Sequence, residues 1–162
     1  MVNIIATLYT EMRLPSILVA LCVLVLAQQE TPGATYYVTP TGAGATNGSD
    51  WANAFSNIQD AINLCGGPSD LIHAQYGIYS NAAELLVDGK SGLVIKGGYA
   101  GTGPEPGPLT NMPTVLTRAA GVNMRIIKIC TAGVTLERLT ISGGYMDSGN
   151  GGGLSVTGAC SV

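Results

Sequence analysis

The sequence predicts an all-β protein whose strands stack as a parallel β-helix, a solenoid closed at its start by one helix. Three observations carry this. First, Leu-x-Ile-x-Gly-Gly-Tyr occurs twice, as LVIKGGY from Leu93 to Tyr99 and as LTISGGY from Leu139 to Tyr145, 46 positions apart (139 − 93). Second, short β-type pieces follow one another at close intervals through the second half of the chain, separated by turn residues. Third, glycine is abundant at 23 of 162 residues and only 10% of residues are charged. That composition favours strands joined by glycine-rich turns over surface helices.

The N-terminal segment stands apart from the fold. ILVALCVLVLA, from Ile17 to Ala27, is an apolar run too short to span a bilayer comfortably. With Arg13 ahead of it and Val25-Leu26-Ala27 at its end, it fits a signal peptide cleaved after Ala27. Glu11 is unusual in such a region, which makes Met12 an alternative start. An uncleaved N-terminal anchor is the competing reading; a lipoprotein reading at Cys22 fails because Leu21 is too large for the preceding position. The expected organisation is a signal peptide over 1–27, a short linker over 28–34, and a cap with the first solenoid coils over 35–162.

The elements follow in order. Tyr36-Tyr37-Val38 is a short strand, followed by the polar loop TPTGAGATNGSD. SNIQDAINLC, from Ser56 to Cys65, is the one convincing helix of the mature chain: Phe55, Ile58, Ala61, Ile62 and Cys65 form one apolar stripe. Ser56 with Gln59 has the spacing of a capping box, and Gly66-Gly67-Pro68 ends the helix. Strands are then predicted at LIHAQY (71–76), ELLV (84–87), GLVIKG (92–97), TVLTR (114–118), RIIKIC (125–130), GVTLERLTIS (133–142) and GLSV (153–156). The prolines of Gly101-Thr102-Gly103-Pro104-Glu105-Pro106-Gly107-Pro108 exclude helix and central strand, so this stretch is expected to protrude as a loop.

An offset of 46 equals two steps of 23, a length suited to one coil of a parallel β-helix and inside the general range of roughly 20–50 residues for repeat units. On this reading Leu93, Ile95, Leu139 and Ile141 point inward, while Val94, Lys96, Thr140 and Ser142 point outward. Gly97-Gly98 and Gly143-Gly144 become equivalent corners, with Tyr99 and Tyr145 on one side two layers apart. The competing β-sandwich would need two-residue turns between strands; Asn47-Gly48 lies outside the strand region, and Asn150-Gly151 sits within the longer glycine-rich run Gly149 to Gly153.

The block Gly48-Ser49-Asp50-Trp51-Ala52-Asn53-Ala54-Phe55, followed by Ile58-Gln59-Asp60-Ala61-Ile62, resembles the start of many exported bacterial right-handed parallel β-helix proteins. Among these are polymorphic outer-membrane-protein-like surface proteins with a pectate-lyase-like solenoid. The likeness extends through Gly77-Ile78-Tyr79, as the end of an extended strand, and Gly97-Gly98-Tyr99 to the run from Leu136 to Val156, covering roughly 35–162. It implies that the helix, with Trp51 and Phe55, covers the open first coil, which would otherwise expose apolar side chains and strand edges. Ala159-Cys160-Ser161-Val162 stops within what reads as a further coil, so the solenoid is expected to be truncated at its C-terminal end, leaving an edge for further coils or self-association.

Chemistry is sparsely encoded. With a net charge of −3 and no basic run, a nucleic-acid groove is excluded. Prolines follow Gly98 to Gly103 where a phosphate-binding helix would begin, so this is no nucleotide loop. Similar β-helix lyases hold calcium on clustered acids and use Lys or Arg as base. The outward basic candidates here are Lys96, Arg118, Lys128 and Arg138, with Glu137 and Asp147 as the nearby acids, and the plainer expectation is an ordinary solvated surface. Asp147 and Asn150 sit in a glycine-rich corner like a calcium nonapeptide, but Met146 breaks the spacing. His73 lacks a motif partner and is expected to pack locally. Cys65, Cys130 and Cys160 are an odd set, read as small core residues in an export compartment that permits disulfides; they lack zinc spacing. The sequence therefore assigns no catalytic, cofactor-binding or metal-binding residue. The expected function is adhesion or glycan contact by a non-catalytic protein, secreted or at the cell surface and associated with the outer membrane, whose partner is polysaccharide or a cell-surface glycan. Its contact with membrane would come only through export or an anchor. The alternative is the N-terminal part of a polysaccharide lyase or hydrolase with its catalytic coils beyond residue 162. Fold alone does not choose between them.

Overall fold

The computed structural model describes residues 33–107, 112–148 and 151–158. The expected signal peptide, Asn150 and Cys160 lie outside them. Strand β1 (Thr35–Val38) leads through a 3-10 turn (Trp51–Asn53) to helix α1 (Ile58–Leu64). Nine further strands follow among the described residues: β2 (Leu71–Gln75), β3 (Gly77–Asn81), β4 (Leu85–Val87), β5 (Val94–Tyr99), β6 (Thr114–Arg118), β7 (Ile127–Ile129), β8 (Thr135–Glu137), β9 (Leu139–Ile141) and β10 (Leu154–Val156).

All strand pairs within the sheets are parallel, and the described residues form three sheets: β1-β2-β5-β8, β3-β6-β9 and β4-β7-β10. From β2 onward the chain visits the first, second and third sheet in turn and then repeats the circuit. Each pass lays one strand on each sheet. The protein is mostly β, with few helices.

The core is built from columns of side chains in register. Tyr36, Ile72, Ile95 and Leu136 line up across the first sheet. Tyr79, Leu116 and Ile141 do so across the second, and Leu85, Ile127 and Leu154 across the third. Alternation along each strand sends these residues inward and their neighbours outward. The predicted alternation around Leu93 and Leu139 holds: Leu93 and Ile95 are buried, Leu139 and Ile141 pack against the core, and Thr140 and Ser142 are exposed.

The predicted equivalence of the two Gly-Gly-Tyr copies does not hold. The first lies on β5 in the first sheet, and the second follows β9 in the second sheet. Ile95 stands beside Leu136, not in a column with Ile141, and Tyr99 and Tyr145 share no side: Tyr99 is buried while Tyr145 is exposed. The physical reason is that the passes differ in length. Leu71 and Val94, 23 apart (94 − 71), are true partners, whereas Val94 and its next partner Thr135 are 41 apart (135 − 94). The proline-rich stretch between β5 and β6 accounts for much of the difference. Nor does that stretch protrude over its described part. Gly107 N–H donates to Gly98 O at 2.7 Å, Pro106 bridges to Tyr99, and the Trp51 indole donates to Gly103 O at 3.0 Å.

Local elements also differ from expectation. The cap of α1 is Asn57, whose Oδ1 accepts from Gln59 N–H at 2.9 Å, not Ser56. GVTLERLTIS is two strands, broken at Arg138, whose φ of 55° turns the chain from the first sheet to the second. Gly77 opens β3 and does not close a preceding strand; its φ of 136° and the Pro40 ring packed against it suit glycine. Helix α1 does cover the first pass, burying Ile58, Ala61 and Ile62 against β1, β2 and β4 with Phe55 beside them. Trp51 takes no part in that cover, because it lies on the outer face of the first sheet. Cys65 is a free, buried thiol as expected of a core residue, whereas Cys130 is disulfide-bonded.

Candidate functional site

The outer face of the first sheet carries Tyr37, His73, Lys96 and Glu137 in one register column. Around it the aromatic rings interlock. Tyr37 meets Trp51 edge-on at 4.8 Å between centroids, Trp51 meets Tyr99 at 5.6 Å, and His73 stacks on Tyr99 at 4.3 Å. A bulge between His73 and Gln75 shifts the register that brings this pair together. Burial lowers the His73 pKa, as does nearby Lys96, against an opposing pull from Glu105. The Tyr99 hydroxyl is pushed up to about 12 by burial and then by Glu105 and Glu137. His73 Nδ1 is buried without a hydrogen-bond partner. This neutral imidazole fills a packed aromatic cluster, in keeping with the expectation that it packs locally.

The basic candidates are not gathered anywhere. Lys96 pairs with Glu137 at 3.3 Å, a partly exposed contact worth at most about 1 kcal/mol. The Arg138 guanidinium donates to Gly107 O, holding the proline-rich stretch down. Arg118 donates to Gly143 O on the next pass and, at 2.6 Å, to Val122 O. Lys128 stands outward on β7 between Leu86 and Ser155. Asp147 accepts a long hydrogen bond from Asn123 at 3.4 Å. Among the described residues no group of three or more His, Cys, Asp or Glu could hold a metal ion.

A concave site lies at the corner between the second and third sheets. A cleft of about 380 Å³ opens between the start of α1 and the segment joining β3 to β4. Ser56, Ser80, Asn81 and Glu84 line it, with the Pro40 ring and the methyls of Ala82 and Ala83. One pass further on, Thr117, Arg118, Ala119 and Ala120 form a second hollow of about 270 Å³ at the same corner. Ser80 pairs with Thr117 and Asn81 with Arg118, and Ala119 N–H continues the ladder to Asn81 O at 2.7 Å. Glu84 is neutralised by Arg125 at 2.9 Å. The cleft thus offers hydroxyl and amide groups without a free charge.

Sequence reading missed this corner. Its signal is Ser80-Asn81-Ala82-Ala83 against Thr117-Arg118-Ala119-Ala120, 37 apart (117 − 80). It also missed Asp70, which organises the first pass by accepting from Ala34 N–H at 2.7 Å, Gly66 N–H at 2.8 Å and Gly67 N–H at 3.0 Å.

No family model, curated protein or solved structure matches the chain.

Proposed function

We propose that the chain is part of an exported, right-handed parallel β-helix protein, secreted or held at the cell surface, that holds polysaccharide or cell-surface glycan without cleaving it. The observation that supports this most is the use made of its arginines. Base-catalysed cleavage needs a basic side chain at the reacting carbon. Arg118 and Arg138 instead donate to backbone carbonyls of Gly143 and Gly107, where they fasten one pass or loop to the next. The β-helix reading draws on the rotation of the chain through three parallel sheets. Its handedness follows the strong preference of parallel crossovers for the right-handed path. The edge formed by β8, β9 and β10 then accepts further coils of the same kind or a second copy.

The test is retention of the purified protein on immobilised neutral and acidic polysaccharides, with release of unsaturated or reducing sugar ends followed in parallel. Retention without release is the expected result. Release of product would replace this reading with that of a lyase or hydrolase, and retention on no glycan would remove the glycan partner.

A further inference from the structure

Resting on the glycan reading, we infer that the cleft between the start of α1 and the β3–β4 segment is the binding place, and that its ligand is a neutral oligosaccharide. Four observations converge there. The first is charge. Glu84, the acid of the lining, is compensated by Arg125 at 2.9 Å, and Arg118 at the neighbouring hollow is engaged with Gly143 and Val122. An ionic ligand would find no free counter-charge among these side chains, and burying it unpaired would be costly.

The second is hydrogen-bonding capacity. The Ser56 and Ser80 hydroxyls line the cleft and take no partner among the described residues. Asn81 is held by its own amide, which donates to Tyr79 O and to Thr117 O at 3.2 Å each, leaving Oδ1 as an acceptor on a fixed side chain. A hydroxyl both donates and accepts, so this set matches a polyol better than it matches an ion.

The third is shape. Ala82 and Ala83 keep the floor low, Pro40 supplies an apolar wall for the C–H face of a sugar ring, and the volume of about 380 Å³ falls in the range of small-ligand sites, roughly 300–1,000 Å³. The fourth is repetition. The Ala119-Ala120 hollow stands on the next pass at the same corner, in ladder register with the first. A chain molecule running across the passes would meet one small-residue floor after another.

The probes are neutral oligosaccharides of glucose, mannose and galactose, measured by calorimetry against the full chain. Ala83 and Ser80 are exposed, so Ala83→Trp and Ser80→Trp fill the cleft without entering the core, and circular dichroism verifies that each variant folds. Both variants are expected to bind at least about tenfold more weakly than the parent, a loss of about 1.4 kcal/mol, while Trp51→Ala on the other face binds like the parent. If Trp51→Ala loses binding and the cleft variants keep it, the assignment to the cleft is overturned and the glycan reading stands. If only acidic polysaccharides bind, the neutral ligand is overturned. If an uncharged peptide competes for the cleft better than any sugar, the ligand class is wrong. Retention on no glycan of either kind defeats the cleft and the glycan reading together.

Discussion

Gln59 pairs with the backbone of Leu86 as a strand would: its Oε1 accepts from Leu86 N–H at 2.8 Å, and its Nε2 donates to Leu86 O at 3.0 Å. Leu86 is the middle residue of β4, the outermost strand of the third sheet on the α1 side. An uncovered edge of this kind is open to pairing with another chain. A single side-chain amide of α1 therefore ends the sheet, while the helix stripe ends the core. Gln59→Leu removes both bonds, together with the Nε2 hydrogen bond to Asn63 Oδ1 at 2.9 Å, and is expected to lower stability by about 1–3 kcal/mol, given that each such bond contributes roughly 0.5–1.5 kcal/mol. Amide exchange at Leu86 should accelerate while exchange at Ile127 one strand inward does not. Equal exchange in parent and variant would show that the amide closes nothing.

Register is tested at the neighbours Thr140 and Ile141 of β9. Thr140 stands outward beside Val115, and Ile141 stands in the inward column with Leu116. Thr140→Lys is expected to leave the denaturant midpoint within about 0.5 kcal/mol of the parent, as for an ordinary surface change. Ile141→Lys places a charge against the core cluster and should abolish cooperative unfolding. One pass deeper, Leu116→Ala should cost about 2–5 kcal/mol, because that residue is fully buried. Tolerance of Ile141→Lys with loss of fold in Thr140→Lys would invert the register.

What was legible in the sequence follows from which physical signals are local. TVLTR alternates cleanly and forms β6 over the residues read from it, and the stripe of Ile58, Ala61 and Ile62 gives α1 its buried face. Strand β3 was missed by pattern because GIYSN combines glycine, serine and asparagine with a single inward ring, Tyr79. Its order comes from its neighbours β6 and the Tyr79 hydroxyl, which donates to Val38 O and Gln75 O at 3.0 Å. Stacking between passes was misassigned because similar strand chemistry serves different sheets: Leu-x-Ile before Gly-Gly suits an inward-alternating strand on any of them. Arg138 made the corner harder to see, since a non-glycine residue at positive φ leaves no mark in composition. The cleft was invisible for the opposite reason. Small residues such as Ala82 and Ala83 define it by what they leave empty.

Asp70 carries a pH prediction. Burial alone would raise its pKa, yet the N–H groups of Gly67, Gly66 and Ala34 and the nearby Lys90 hold it below the usual carboxylate value. A carboxyl whose folded pKa is depressed contributes stability that is present above its unfolded value, about 3.9, and is lost as pH falls through the folded value. The parent should therefore lose stability at the acid end of the range, below about pH 4. Asp70→Asn keeps the shape but turns an NH₂ group toward N–H donors. It is expected to cost about 2–3 kcal/mol at neutral pH, in the range of hydrogen bonds to a charged group, and to flatten the acid limb. Urea midpoints measured for both proteins across that range decide it. Parallel curves would mean that Asp70 titrates alike in folded and unfolded chains.

The far edge is the counterpart of the one Gln59 closes. β8, β9 and β10 are each the last strand of their sheet among the described residues. The third sheet shows the consequence most clearly. Leu154 and Val156 continue the inward columns of Ile127 and Ile129, but are 40% and 65% exposed where those partners are 0% and 5%. Apolar side chains left exposed in core positions on the last described strand favour strand addition. Sedimentation of the chain should show association that rises with concentration. Leu154→Lys with Val156→Lys should shift it toward monomer, because two like charges would then face each other across any second copy, and should leave the unfolding midpoint within about 1 kcal/mol, both positions being already solvated. A parent that remains monomeric at every concentration, or a double variant that associates as the parent does, would place the contact elsewhere. Covering this edge by fusing one further coil should then fail to raise stability.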